Sequence, residues 1–471
     1  MVVASLRRIA LVLVCAVFVA GEVLAQALAP LPATNADIGE SSVSGVSAGA
    51  FMAIQFGTAW SSVIKGVGAV AGGPYWCAKA DGYFSYWSAF SNATGPCLSG
   101  PLSDPSRFTA KADTKAASGA IDPLHFLRRQ KIYLFHGYND AVLAKSVTDA
   151  AADFYRHYLA EANRGNLFYQ TTLGAGHSLV IAQDPPAGGL NECKANASPF
   201  IDQCGYDQAG IILQHIYGAL NAPNRGALDG SVRPFAQSLY SKPNSVSSLS
   251  LGNTGYVFVP KECGQGETCR VHIALHGCKQ GVGDIDRRFV DYGGYNAWAD
   301  TNRIIVLYPQ TATSWYPYNP KACWDWWSYV DYDDRYITKS GSQIRTIKAM
   351  LDALTLRAAP AAAPGPAPTG APTGLKVIDT SDTAADLAWT PQPGATAYRV
   401  FRAGLGGQFE AVGDTAGPSF ADSGLTPKTA YFWRIVAIAN GVDGQASGET
   451  AATTRAVPAP CSNPGTCPVG Q

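Results

Sequence analysis

Residues 358–374 are drawn only from alanine, proline, glycine and threonine, and no other stretch limits the folding of this chain as much. Such a segment has no large apolar side chain to bury, and its prolines stiffen it toward polyproline II. It therefore divides the 471 residues into bodies that must each bury a core of their own. Ahead of it, residues 30–357 alternate short apolar runs with helical stretches, the pattern of an α/β domain. Runs at 67–71, 132–135, 168–172, 256–259, 271–275 and 304–307 are expected to be strands. Residues 146–162 are expected to be helical, because Val147, Ala150, Ala151, Phe154, Tyr158 and Leu159 fall on one face. Behind the linker, residues 375–455 alternate in period two between turn residues, which predicts a small all-β sandwich. Residues 456–471 then form a short tail carrying Cys461 and Cys467.

Thirty-five basic side chains balance 35 acidic ones, so the chain offers no electrostatic footprint for nucleic acid or an anionic membrane surface. A neutral substrate suits it better than a polyanion, and a monomer is expected. Arg7 and Arg8 precede an apolar run at 9–20, followed by small-residue cleavage candidates at Val23-Leu24-Ala25 and Ala27-Leu28-Ala29. Residues 1–25 are thus expected to be an export signal, since twelve apolar residues fall short of the roughly 20 that span a bilayer. The mature protein would be secreted and extracellular, with no membrane anchor. Of the 11 cysteines, Cys15 lies in that signal, and ten remain to pair in an oxidising compartment. Proximity suggests Cys77 with Cys97, Cys193 with Cys204, Cys263 with Cys269, Cys278 with Cys323 and Cys461 with Cys467, although spacing alone leaves connectivity open. No His/Cys cluster has zinc-ligand spacing, so no metal and no cofactor are expected.

Chemistry concentrates first at Gly45-Val46-Ser47-Ala48-Gly49, a nucleophile-elbow spacing between a strand-like and a helix-like segment. Serine needs a base, and the base needs an orienting acid. His177 lies in a glycine-rich turn after a strand, whereas His125, His157 and His215 fall in helical or irregular stretches and His272 inside a strand. Asp140 follows the strand at 132–135 through a short loop, with Asp184 and Asp325 as rivals. The order Ser47, Asp140, His177 is the one α/β-hydrolases use. Yet the strand and His-Gly turn that should precede the nucleophile come after it, at 271–275 and His276-Gly277-Cys278. A circular permutation accounts for that displacement, and the oxyanion hole would then comprise the amides of Ala48 and Cys278.

Taken together, Ser44-Gly-Val-Ser47-Ala-Gly, Gly72-Gly-Pro-Tyr-Trp-Cys77, Asp140, His177, Leu275-His-Gly-Cys278 and Cys323-Trp-Asp-Trp326 resemble the extracellular poly(3-hydroxybutyrate) depolymerases. The resemblance is to the type with its lipase box near the N-terminus and a circularly permuted α/β-hydrolase domain. It implies a secreted serine esterase that cuts the polyester, or its oligomers, to 3-hydroxybutyrate units through an acyl-enzyme. It also implies a place for Trp326 in the substrate crevice, and Trp324 beside it is a second substrate-binding candidate. In the small region, Trp389 and Leu425-Thr-Pro427-Lys-Thr429-Ala-Tyr431 resemble a fibronectin type III module with its tyrosine corner. Members of the family commonly carry a polymer-binding domain after that module, where this sequence has only the cysteine-bearing tail. Two other readings use the same features: a carbohydrate- or aryl-ester hydrolase of the feruloyl esterase kind, and a non-catalytic protein that adheres to polymer granules.

Overall fold

Strand β1, Ser41–Val46, runs through the middle of an eight-stranded sheet and hands the chain directly to the buried helix α1, Ala48–Ala59. The structure is a computed structural model that describes residues 28–80, 86–102, 104–182, 189–356, 370–415, 417–439 and 442–457. The expected export signal, Asp184, most of the linker, and Cys461 with Cys467 lie outside the described residues. Two units make up the chain, Met1–Ala358 and Ala359–Gln471.

The further strands of the first unit are β2 Ile64–Val70, β3 Lys131–Phe135, β4 Leu167–Gln170, β5 Leu179–Ile181, β6 Asn191–Glu192, β7 Ile201–Gln203, β8 Ser231–Ala236, β9 Thr254–Val259, β10 Arg270–Leu275 and β11 Ile304–Tyr308. Eight of them pair in the order β4-β3-β2-β1-β10-β11-β9-β8, and β5-β7-β6 form a small separate sheet. Pairing is parallel from β4 through β11, while β9 runs antiparallel to both β11 and β8. Read from β8 onward and closed through β1 to β4, this sheet puts the strand before His276 ahead of the nucleophile strand, in hydrolase order. The joint that such a reading needs is present: Thr34 N–H donates to the Leu354 carbonyl at 3.2 Å and Asn35 N–H to that of Leu356 at 3.3 Å. The domain is therefore a circularly permuted α/β-hydrolase.

Alternation along the strands builds a core on each face of the sheet. Val43, Val67, Ile132, Leu134, Ile273 and Leu307 face the side covered by α1 and the helices Lys145–Tyr158 and Ser342–Thr355. Tyr133, Phe135, Ala274 and Val306 face the helices Gln208–Tyr217 and Tyr295–Asn302. On that second face Ser42 and Ser44 stand in β1 where apolar residues would be expected. Both are satisfied by the buried His272, whose Nδ1 lies 2.7 Å from Ser42 Oγ and whose Nε2 lies 2.8 Å from Ser44 Oγ. Burial pushes the His272 imidazole down to about 3, so it is neutral and structural. Every residue of α1 is buried, which explains why its sequence is apolar all round rather than striped.

The helix expected over 146–162 ends at Tyr158. Leu159 turns extended and stays buried, and a 3₁₀ turn, Glu161–Asn166, then reverses the chain into β4 beside β3. Four of the disulfides suggested by proximity form: Cys77–Cys97, Cys193–Cys204, Cys263–Cys269 and Cys278–Cys323.

In the second unit the strands are β12 Lys376–Thr380, β13 Ala384–Ala388, β14 Ala397–Gly404, β15 Glu410–Thr415, β16 Ser419–Ser423, β17 Ala430–Ala439, β18 Val442–Ala446 and β19 Thr450–Thr453. Sheets β12-β13-β16 and β15-β14-β17-β18, with β19 also on β17, close over Leu387, Trp389, Val400, Trp433 and Ile435. The Tyr431 hydroxyl, near the start of β17, accepts the Thr426 N–H at 3.0 Å and makes the tyrosine corner. This unit is a fibronectin type III-like sandwich.

Candidate active site

The turn between β1 and α1 is as tight as a covalent chain permits. Ser47 sits at φ 54°, ψ −120°, a conformation that costs a non-glycine residue about 1–3 kcal/mol and persists only where the surroundings enforce it. They do so here: the Ser47 N–H donates to the Val70 carbonyl at 2.9 Å, and its own carbonyl accepts the N–H of Ala50 at 2.8 Å. A Cβ on Gly45 would fall 2.2 Å from the backbone of Gly49, and one on Gly49 would fall 2.4 Å from the Leu275 carbonyl oxygen. Both flanking glycines are thus steric requirements of the elbow.

His177 and Asp140 leave the ends of neighbouring segments and meet, with Asp140 Oδ2 accepting from His177 Nδ1 at 2.9 Å. Asp140 Oδ1 takes the N–H groups of Val142 at 2.8 Å and Leu143 at 2.9 Å. Burial alone would push this carboxyl up. The His177 hydrogen bond and charge, with the Leu143 and Val142 amides, outweigh burial and hold it below the usual carboxylate range. An ionised Asp140 can only accept, so the imidazole carries its proton on Nδ1 and leaves Nε2 free as a base. The rivals are elsewhere. Asp325 is fully buried and accepts the Tyr329 and Val330 amides; burial, then Asp331, pushes it up to about 7. His215 bonds the Asn166 carbonyl through Nε2.

Because β10 pairs with β1 in register, Leu275 opposite Gly45, the chain beyond β10 arrives beside Ser47. A Cβ on Gly277 would lie 3.4 Å from the Ser47 Cβ. Within this turn the Gly277 N–H is taken by Gln280 Oε1 at 2.7 Å and the Lys279 N–H by the Lys321 carbonyl at 2.8 Å. Among the described residues the Cys278 N–H between them has no acceptor. His276 aims it. Burial pushes this imidazole down to about 4, so it is neutral; Nδ1 donates to the Gly277 carbonyl at 2.7 Å and Nε2 accepts from the Thr311 N–H at 3.2 Å. A planar trans peptide carries its C=O and N–H in opposite directions, so anchoring the Gly277 oxygen turns the Cys278 N–H outward. Ala48, the other expected donor, is the first residue of α1, where amides have no intrahelical partner.

Ser47, His177, Gly277 and Cys278 all open on one cavity of about 310 Å³. Its walls are mainly apolar, with Phe90, Leu98, Phe200, Trp326 and Trp327. Trp326 is part of that wall, stacked on Phe51 at 4.2 Å between ring centres. Trp324 is not. Its ring is fully buried behind the turn and its indole N–H donates to the His276 carbonyl at 3.0 Å, so it braces the 276–278 turn and does not line the cavity.

Relatives of this chain are known. A poly(3-hydroxybutyrate) depolymerase of Delftia acidovorans is 36% identical over 423 residues, 88% of this chain and 80% of its own length. A polyhydroxybutyrate depolymerase of Talaromyces funiculosus is 39% identical over 308 residues, 63% of this chain and 84% of its own. The chain belongs to the poly(3-hydroxybutyrate) depolymerases. Two solved depolymerase structures, one from Penicillium funiculosum and one complexed with an R3HB trimer, match it with a TM-score of 0.60 at 35% and 34% identity. Each match covers 69% of this chain and 98% of the other. No protein-family model matches the chain. As a depolymerase the chain is a carboxylic-ester hydrolase.

Sequence reasoning missed three residues of this depolymerase's site. Asn196 Oδ1 accepts the N–H groups of Ala141 and His177, each at 2.9 Å, and its amide donates to the Asn139 carbonyl at 3.0 Å, so it fastens the acid loop to the base loop. Gln280, which holds Gly277, also donates to the Phe200 carbonyl at 2.8 Å and so ties the 276–278 turn to the segment beside His177. Trp327 lines the cavity beside Trp326. The one sequence signal for Trp327 is its place next to Trp326; nothing local marks Asn196 or Gln280, because their partners are brought by other segments.

Proposed function

We propose that this depolymerase is a secreted serine esterase that hydrolyses poly(3-hydroxybutyrate) or its oligomers through an acyl-enzyme. The observation that carries the reading is the shared cavity: the Ser47 hydroxyl, the His177 imidazole and the uncommitted Cys278 amide reach it together, with Asp140 bound behind His177. In this reading Ser47 Oγ attacks the ester carbonyl carbon while His177 Nε2 takes the hydroxyl proton. Negative charge forms on the carbonyl oxygen, where the amides of Ala48 and Cys278 receive it. His177 then gives its proton to the departing alkoxide, which leaves as the hydroxyl end of the downstream chain. Water, deprotonated by the same imidazole, cleaves the acyl-enzyme and releases a 3-hydroxyacid carboxylate.

The cavity wall supports a polyester rather than a purely apolar ligand. Apolar rings from Phe90, Phe200, Trp326 and Trp327 share it with the amide side chains of Asn196, Gln280 and Asn319, a mixture that suits a chain of apolar methyls and polar ester carbonyls. Four disulfides suit an oxidising, extracellular setting, and no helix among the described residues is long and apolar enough to cross a membrane. We assign residues 1–25 to the signal, 30–357 to catalysis, 358–374 to the linker and 375–455 to a spacer or weak binder.

The test compares wild type with Ser47→Ala on an opaque polyhydroxybutyrate suspension, on 3-hydroxybutyrate trimer and on feruloyl esters. Clearing and trimer cleavage that vanish in Ser47→Ala are expected. Full activity in that variant would remove the mechanism, and preference for the feruloyl ester would replace the substrate.

A further inference from the structure

Poly(3-hydroxybutyrate) is uncharged along its length, yet the cavity carries charge of one sign. Lys279 and Lys321 both line it, and among the described residues no aspartate or glutamate does. Neither lysine forms an ion pair among the described residues, and the carboxylate that senses Lys279, Asp284, lies outside the cavity wall. Both side chains are exposed at the rim. Their backbones are locked together by the hydrogen bond from the Lys279 N–H to the Lys321 carbonyl at 2.8 Å and by the adjoining Cys278–Cys323 disulfide. Lys279 also sits at φ 56°, in the left-handed region where glycine is cheaper, so the turn tolerates backbone strain with a cationic side chain in that place.

We propose that Lys279 and Lys321 form a subsite for the free carboxylate at the end of a hydroxyacid oligomer. The inference rests on the esterase reading of this cavity and names a substrate class within it. A mid-chain ester unit has nothing for these ammonium groups to neutralise, whereas every oligomer ends in one carboxylate. Chain chemistry fixes the direction. The acyl portion that becomes attached to Ser47 ends in a hydroxyl, and the carboxylate end belongs to the departing portion. Lysines that hold the carboxylate therefore favour cleavage close to the carboxyl terminus of short chains. Both ammonium groups are solvated at the rim, so their attraction is modest and screened by salt.

The experiment measures kcat/KM for 3-hydroxybutyrate trimer as free acid and as methyl ester, in wild type, in the Lys279→Ala/Lys321→Ala double variant and in Lys279→Arg/Lys321→Arg. The acid-to-ester ratio is expected to fall about 3- to 10-fold in the alanine variant, to survive in the arginine variant, and to shrink in wild type as salt rises. Using a ratio cancels any common effect of the substitutions on the oxyanion loop. An unchanged ratio in the alanine variant, or a salt-independent ratio in wild type, overturns the carboxylate subsite. Failure of wild type to cleave either form of the trimer would instead defeat the esterase reading of this cavity, and the subsite with it.

Discussion

Substituting Gly49 by alanine tests where the oxyanion donors lie while every proposed catalytic side chain stays in place. The added Cβ would lie 2.4 Å from the Leu275 carbonyl oxygen and 2.5 Å from that of His276, both backbone atoms. Ordinary contact begins near 3.4 Å, so either the start of α1 or the end of β10 must retreat by about 1 Å. Those two pieces carry the Ala48 and Cys278 amides, and a preorganised site tolerates displacements of only about 0.5 Å. Losing one oxyanion donor lowers kcat about 10²- to 10³-fold, or about 2.7–4 kcal/mol. Gly57→Ala is the control. Its Cβ would meet the Val67 Cγ2 at the same 2.4 Å, but roughly 12 Å further along α1 and away from the cavity. Overpacking should cost both variants about 1–3 kcal/mol of stability, read by denaturant unfolding. Steady-state hydrolysis of p-nitrophenyl butyrate should then show the large kcat loss in Gly49→Ala alone. A folded Gly49→Ala enzyme with kcat within about threefold of wild type would refute the placement of the oxyanion donors, as would an equal loss in Gly57→Ala.

Two further predictions concern carboxylates beside the base. Asp140→Asn should lower kcat by about 10⁴, because an amide can donate to His177 Nδ1 and so stabilise the wrong tautomer. Since the native fold depresses the Asp140 carboxyl, its stabilisation is present above the ordinary aspartate range and is lost as pH falls through the lower native value. Thermal scans should therefore find the variant less stable than wild type at pH 7 and converging with it in acid. Asp202, in β7, is buried, and burial, opposed by Ser178, Asn191 and His177, pushes its carboxyl up to about 6. The native state binds the extra proton, so wild type should lose stability as pH rises from about 4 to about 6. Asp202→Asn should flatten that slope; a variant whose melting temperature tracks wild type across the window would show that Asp202 titrates normally.

What the sequence determined by itself was whatever a short stretch of backbone requires. The alanine-proline segment at 358–374 has no large apolar side chain with which to build a core wherever it lies, and Gly45 and Gly49 leave room that a Cβ would fill beside a serine in so tight a turn. Strand alternation and the α1 apolar run were readable for the same reason, since each repeats a local geometry. Cysteine pairing does not belong with these: spacing left connectivity open, and Cys278 and Cys323, 45 residues apart, meet only in the fold.

Only the tertiary structure decided which side chains share the cavity. Trp324 and Trp326 are two residues apart and chemically identical, yet one is fully buried behind the His276 carbonyl and the other faces the cavity. Asn196 and Gln280 had no legible signal, because an amide in a loop acquires its purpose from carbonyls and N–H groups on other segments. The His276-Gly277-Cys278 turn stands more than two hundred residues from Ser47 in sequence and beside it in space. Sheet register brings them together, and register is set by two buried faces packing at once rather than by any local run.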